Sequence, residues 1–89
     1  MAVCRIVHTN ATPEEYDSVF EKVNTGGAST AGRTLHVAAA GEDGKIRVVE
    51  VWESRSEADA FGEAVRAARE ELGIAEPVSV SLLEVHNQA

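Results

Sequence analysis

Four short stretches rich in valine and other hydrophobic residues alternate with two stretches of helical spacing. The predicted strands cover residues 3–9, 33–40, 45–53 and 78–86. Between them, hydrophobic side chains recur at intervals of three and four residues, which predicts two amphipathic helices. The first helix carries Tyr16, Val19, Phe20 and Val23, and the second carries Ala58, Phe61, Val65, Ala68 and Leu72. The predicted element order is βαββαβ.

The helix boundaries have recognisable signals. Thr12 is an expected N-cap whose capping box is completed by Glu15, and Pro13 suits the first helical turn. Gly73 is expected to end the second helix in a Schellman motif. The segment 26–32 contains only Gly, Ala, Ser and Thr, and we interpret it as a flap over a cleft.

The hairpin between the second and third strands decides which side chains lie under the helices. If its loop contains two or four residues, the numbers of facing residues sum to an odd value. One face is then almost wholly apolar and should lie under the helices: Leu35, Val37, Ala39, Ile46, Val48, Glu50 and Trp52. His36 would lie on the opposite face, at the contact with a second subunit. A three-residue loop would exchange the assignment.

This order is typical of a single ferredoxin-like α+β domain over residues 1–89, with a four-stranded antiparallel sheet and both helices on one face. The chain contains 89 residues and one cysteine, so its core is thin and lacks an internal disulfide. We therefore expect a homodimer that covers the second sheet face. The composition predicts a cytoplasmic protein without a membrane segment. The net charge of −7 disfavours binding to nucleic acid.

The segment 47–54, followed by Glu57, Ala58 and Phe61, resembles the strand–helix junction of the dimeric α+β barrel superfamily. This superfamily includes antibiotic-biosynthesis-type monooxygenases, and the chain is most similar to small actinobacterial members. The resemblance also covers residues 35–38 and 85–87. It implies a homodimer with a ligand cleft between sheet and helices in each subunit. It also implies that Trp52 lines the cleft.

The superfamily includes cofactor-free oxygenases of aromatic polyketides, isomerases and cyclases. The resemblance therefore implies an enzyme without a cofactor that acts on a small hydrophobic or aromatic molecule. The alternative is a homodimeric domain that binds a small molecule, or merely associates, without catalysis. Pairing with Arg5 or Arg33 is the structural alternative for Glu50. The expected ligand-binding residues are Trp52, Tyr16, Phe20 and Phe61, and the candidates for moving a proton are Glu50, His8 and His36.

The three histidines do not suggest a metal site. In a ferredoxin-like sheet His8 and His86 lie at opposite ends of neighbouring antiparallel strands, roughly 20 Å apart at about 3.3 Å per residue. We therefore predict no metal within one subunit. Glu50, if it were buried without a partner, would have a raised pKa and suit acid–base chemistry near neutral pH.

Overall fold

The computed structural model describes all 89 residues and has the predicted ferredoxin-like architecture. The four strands form one antiparallel sheet in the order β2-β3-β1-β4, with both helices packed on one face. The predicted fold is therefore confirmed. The elements are β1 Val3–His8, α1 Pro13–Thr25, β2 Arg33–Ala40, β3 Ile46–Trp52, α2 Arg55–Glu71 and β4 Ser79–Glu84.

Helix α1 begins and helix α2 ends where the capping signals predicted. Thr12 Oγ1 accepts from the Glu15 N–H, and Glu15 Oε1 accepts from the Thr12 N–H at 2.9 Å, which completes the capping box. After α2, the Ile74 N–H donates to the Arg69 carbonyl at 3.0 Å, with Gly73 at φ +69°. This is the Schellman geometry. Neither helix is long and apolar enough to cross a membrane.

The hydrophobic core lies between the helices and one face of the sheet, in two parts. The larger part surrounds Trp52 and Ala58, whose side chains are completely buried. The smaller part lies at the other end of the sheet, with Tyr16 packed against it. The larger cluster contains Val3, Val23, Trp52, Ala58, Phe61 and Ala68, and the smaller contains Val7, Ile46 and Val48.

The hairpin loop has three residues, so the predicted facing of β2 is wrong. The Gly41 N–H donates to the Lys45 carbonyl at 2.8 Å, which leaves residues 42–44 as the loop. Gly44 has φ +76°, the left-handed conformation that follows a type I turn in such hairpins. His36 therefore lies opposite Glu50 under the helices, while Val37 lies opposite Val49 on the uncovered face. The assignment of β3 was correct.

A β-bulge near the start of β2 shifts the register once more. Arg33 lies opposite Trp52 and Leu35 opposite Val51, so one extra residue, Thr34, stands between these pairs. Successive strand residues normally alternate between faces, but the extra residue resets the alternation. Arg33 and His36 consequently point to the same face, towards Glu50.

Candidate functional site

A cavity of about 470 Å³ lies between the sheet and the two helices, where the family resemblance implied a cleft. Its volume is in the range of small-molecule sites, and most of its lining is apolar. Its polar wall near the sheet contains Arg5, Tyr16, His36 and Glu50, and the lining also includes Thr9 and the α2 residues Asp59, Glu63, Arg66 and Arg69. The segment 26–32 does not line the cavity, and Ala28 packs against the larger core cluster instead. The predicted flap is therefore wrong.

Glu50 is the centre of the polar wall. Its side chain is only 1% exposed, yet it accepts from groups on three strands. His36 Nδ1 lies 2.7 Å from Oε2, and Trp52 Nε1 donates to Oε1 at 3.3 Å. Arg5 and Arg33 each place Nη1 3.5 Å from one of the two carboxylate oxygens. Pairing of Glu50 with Arg5 or Arg33 was the structural alternative to a catalytic role, and Glu50 pairs with both arginines.

The partners of Glu50 decide its charge. Burial alone would raise the pKa of this carboxyl group, but hydrogen bonds from His36 and Trp52 and the positive charge of Arg5 outweigh burial. The pKa of Glu50 consequently lies below the ordinary carboxyl value of 4.5. Glu50 is thus a carboxylate at neutral pH. A raised pKa was expected only if Glu50 were buried without a partner, and Glu50 has several partners.

His36 connects Glu50 to Tyr16. The Tyr16 hydroxyl oxygen lies 2.6 Å from His36 Nε2, and the two rings are stacked with centroids 6.4 Å apart. Burial, followed by the negative charge of Glu50, raises the pKa of Tyr16, so its phenol keeps its proton. Three side chains from α1, β2 and β3 therefore form one continuous hydrogen-bonded series.

The ionised state of Glu50 sets the direction of this series. A carboxylate only accepts, so His36 Nδ1 must carry the proton that it donates to Oε2. In the neutral imidazole, Nε2 is then the acceptor for the Tyr16 hydroxyl. The phenol oxygen keeps a free lone pair at the cavity wall. This arrangement can take up a proton at Tyr16 and pass one to His36, whose positive charge the carboxylate would stabilise.

The aromatic residues divide between the cavity and the core. Tyr16, Phe20 and Phe61 line the cavity, as expected for ligand contacts. Trp52 does not line it. Its ring is completely buried, 5.3 Å from the Phe61 ring, and its N–H donates to Glu50. The position of Trp52 as a cleft wall is therefore wrong, because Glu50 lies between the indole N–H and the cavity.

His8 is separated from the other candidates. It pairs with Arg47 and Ser79, which are on the uncovered side of the sheet, whereas its neighbours Val7 and Thr9 line the cavity. The expected position of His8 at the cleft mouth is wrong for this reason. No group of three or more His, Cys, Asp or Glu side chains is arranged to hold a metal ion.

The contact of Tyr16 with His36 was missed at the level of sequence. The signal that could have found it was the three-residue hairpin loop, the one alternative that moves His36 under the helices. Tyr16 was already placed on the sheet-facing side of the first helix. Combining these two assignments would have brought phenol and imidazole together.

No protein-family model and no curated protein matches this chain. Solved structures do match it. A candidate antibiotic biosynthesis monooxygenase from Chloroflexus aurantiacus has a TM-score of 0.67 and 22% identity over 100% of this chain and 98% of that chain. A dimeric ferredoxin-like protein of unknown function from Thermobifida fusca has a TM-score of 0.61 and 15% identity, covering 96% and 92%.

A third solved structure is SnoaB, a cofactor-independent oxygenase from Streptomyces nogalater. Its TM-score is 0.59 at 18% identity, with 98% of this chain and 93% of that chain covered. The fold is that of antibiotic-biosynthesis-monooxygenase-like proteins. At these identities the likeness establishes the fold, and the chemistry has to be argued from the side chains of this chain.

Proposed function

We propose that this protein is a cofactor-independent enzyme of the oxygenase, cyclase or isomerase type. Its substrate would be a small hydrophobic or aromatic molecule held in the cavity. The observation that carries the proposal is the series Tyr16–His36–Glu50 at the polar wall of a mostly apolar cavity. The oxygenase SnoaB has the same fold, which is consistent with this reading.

One proton transfer is common to these reaction types, namely removal of a proton next to a carbonyl group to give an enolate. The substrate proton would pass to the Tyr16 oxygen while the phenol proton passes to His36 Nε2. The Glu50 carboxylate stabilises the imidazolium that forms. The electron pair of the broken C–H bond stays on the substrate, which then isomerises, cyclises or reacts with dioxygen.

Hydrogen–deuterium exchange tests the proton transfer directly. The enolisable ketone 2-tetralone is incubated with the protein in deuterated buffer, and exchange at the carbon next to the carbonyl is followed by NMR. We expect the exchange rate to fall roughly a hundredfold in His36→Asn, which keeps a donor towards Glu50 but has no basic nitrogen. Tyr16→Phe should have a comparable effect. His86→Asn, an exposed histidine near the chain end, is the matched control.

Dioxygen uptake separates the reaction types. Anthrone and dioxygen give anthraquinone and water, so oxygen consumption above the spontaneous rate would identify an oxygenase. Exchange without oxygen uptake would favour an isomerase or cyclase. If both ketones bind without faster exchange or oxygen uptake, the enzyme proposal fails and the non-catalytic binding domain replaces it.

We also propose that the protein is a homodimer formed through the uncovered sheet face. Away from His8 and Arg47, this face carries apolar side chains, of which Ile6, Leu35, Val37 and Leu83 are between 39% and 53% exposed. An apolar patch of this kind on one side of a thin domain favours association with a second copy. The cavity lies on the other side of the sheet, so a dimer would leave it open. A cytoplasmic location remains a prediction from the composition.

A further inference from the structure

Arg5 occupies an unusual place for an arginine. It lies on β1, an inner strand of the sheet, between Glu50 on β3 and Leu82 on β4. Its side chain points towards the helices, is only 16% exposed, and lines the cavity. A guanidinium that is largely removed from water loses hydration, and this loss has to be offset by hydrogen bonds or by an opposite charge.

The protein satisfies only a small part of Arg5. A guanidinium has five N–H donors, and the only hydrogen bond from this one is the contact of Nη1 with Glu50 Oε1 at 3.5 Å. Charge-assisted N–H···O bonds normally measure about 2.7–2.9 Å. No side-chain nitrogen or oxygen that is fully enclosed lacks a partner. The remaining donors of Arg5 therefore have access to open space, and that space includes the cavity.

Arg33 is a second arginine partner of Glu50 besides Arg5. It makes the same 3.5 Å contact with the other carboxylate oxygen. Its guanidinium carbon packs 5.9 Å from the ring centroid of Trp52 and 5.2 Å from that of Phe61, and it does not line the cavity. One carboxylate thus faces two arginines, so one positive charge is left over. Of the two, Arg5 is the arginine that lines the cavity, and the lining also includes Asp59, Glu63, Arg66 and Arg69.

Helix α2 leaves room above this charge. At Gly62 a Cβ atom would lie 3.5 Å from Nη2 of Arg5 and 3.8 Å from Cζ. The glycine backbone therefore approaches the guanidinium without a side chain to cover it. Glycine inside a helix costs about 1 kcal/mol relative to alanine. The absence of a side chain at Gly62 leaves the guanidinium of Arg5 accessible, which gives a reason for a glycine at this helical position.

We propose that Arg5 binds an anionic oxygen of the substrate, which narrows the substrate class. The molecule would be a flat apolar compound with a carboxylate, a phenolate, or a ketone oxygen that becomes negative when the neighbouring proton is removed. For the ketone oxygen, this inference rests on the proposed function, since Arg5 would stabilise the enolate that Tyr16 and His36 produce. Carboxylate binding depends only on Arg5 and the cavity.

A pair of isosteric probes tests the charge preference without any reaction. The affinities of 2-naphthoate and the neutral 2-naphthamide are measured by isothermal titration calorimetry near neutral pH. Wild-type protein should bind the carboxylate about tenfold more tightly than the amide, as expected for a charge-assisted contact. Arg5→Met should abolish the preference and leave the amide affinity nearly unchanged. Arg5→Lys should keep part of it, since an ammonium retains the charge without the guanidinium fork.

Lys22→Met is the control for a general loss of positive charge. Lys22 pairs with Glu71 and neither residue lines the cavity, so its replacement should leave the preference intact. Equal binding of both probes by the wild type, a preference that survives Arg5→Met, or no binding of either probe would each overturn the proposal. Circular dichroism shows whether the variants fold. If Arg5→Met does not fold, the loss of part of the carboxylate preference in Arg5→Lys tests the proposal.

The two proposals fail in different ways. His36→Asn should lose proton exchange on 2-tetralone and still prefer 2-naphthoate. A wild type that prefers naphthoate but catalyses no exchange would overturn the enzyme and retain the anion site. A wild type that exchanges protons but shows no preference for naphthoate would do the reverse.

Discussion

Glu50 is a buried carboxylate, and both of its arginine partners are distant in sequence. Arg5 is 45 positions away and Arg33 is 17 positions away. A buried carboxylate without partners would take up a proton, because desolvation penalises the charged form. Here His36, Trp52 and Arg5 reverse this effect and lower the pKa of Glu50. Glu50 is therefore negatively charged when it accepts the hydrogen bond that orients His36.

Replacing Glu50 by Gln tests the role of this charge in stability. The side chain keeps its size, but Arg5 and Arg33 lose their buried counter-ion. We expect Glu50→Gln to lower the free energy of unfolding by about 3 kcal/mol at neutral pH, as for other disrupted buried ion pairs. Urea denaturation followed by circular dichroism measures the difference.

The penalty of Glu50→Gln should depend on pH. Because the folded-state pKa of Glu50 lies below 4.5, its charge stabilises the fold above that pH. This contribution is lost as the pH falls from about 4.5 through the lower folded-state pKa. The stability difference between wild type and Glu50→Gln should therefore narrow in acid. A constant difference from neutral pH to about pH 3 would contradict the assignment.

The β2 strand positions the site through two local irregularities. The three-residue hairpin loop turns His36 towards the helices, and the bulge at Thr34 turns Arg33 to the same side. A regular strand would place two residues separated by three positions on opposite faces. The bulge is thus what allows Arg33 and His36 to contact one carboxylate.

Two glycines of the α2 region should respond to alanine in opposite ways. Gly62 lies inside the helix with ordinary contacts for an added Cβ, so Gly62→Ala should raise the stability by up to about 1 kcal/mol. Gly73 has φ +69°, so Gly73→Ala should lower it by about 1–2 kcal/mol. Thermal unfolding measures both variants.

Gly62→Ala should also weaken the binding of 2-naphthoate, since the new methyl group covers Arg5. A stabilised Gly62→Ala variant with unchanged naphthoate affinity would show that α2 does not limit access to the guanidinium. Gly73→Ala lies outside the cavity lining and should leave the affinity unchanged at temperatures where it is folded.

The two faces of the sheet have different tasks. The face towards the helices carries the core, the cavity and the ion pairs, and the uncovered face carries apolar side chains. Val37 and Leu83 on the uncovered face are 47% and 53% exposed in the single chain. Burying such side chains against a copy of the same surface would enlarge the hydrophobic core, which is thin because a short chain buries only a small fraction of its surface.

Disruption of the uncovered face tests the homodimer. We expect the wild type to sediment as a dimer, and Val37→Lys and Leu83→Lys to shift it towards monomer, because each lysine would be buried against its partner without a counter-ion. Analytical ultracentrifugation measures the masses. Val78→Lys is the control, since Val78 is 64% exposed but outside this face. A wild type that sediments as a monomer at micromolar concentration contradicts the dimer.

The sequence alone was sufficient for the element order, the capping residues and the ferredoxin-like topology. These features depend on interactions between near neighbours: the Thr12 capping box spans four residues, and the Schellman motif at Gly73 spans six. Hydrophobic spacing then assigned both helices and the buried face of β3. The pairing of Glu50 with Arg5 or Arg33 was also considered, since opposite charges in neighbouring strands attract.

The tertiary structure decided which face of β2 meets the helices. Side chains alternate between faces with a period of two, so one loop residue more or less exchanges every assignment on the strand. That single residue moves His36 from the expected dimer contact to Glu50 and Tyr16. The pairing of β1 with β3 separately turns His8 away from the cavity and Arg5 towards it. Local signals identify a hairpin, but only the packed sheet determines its register, and with it the chemistry of the site.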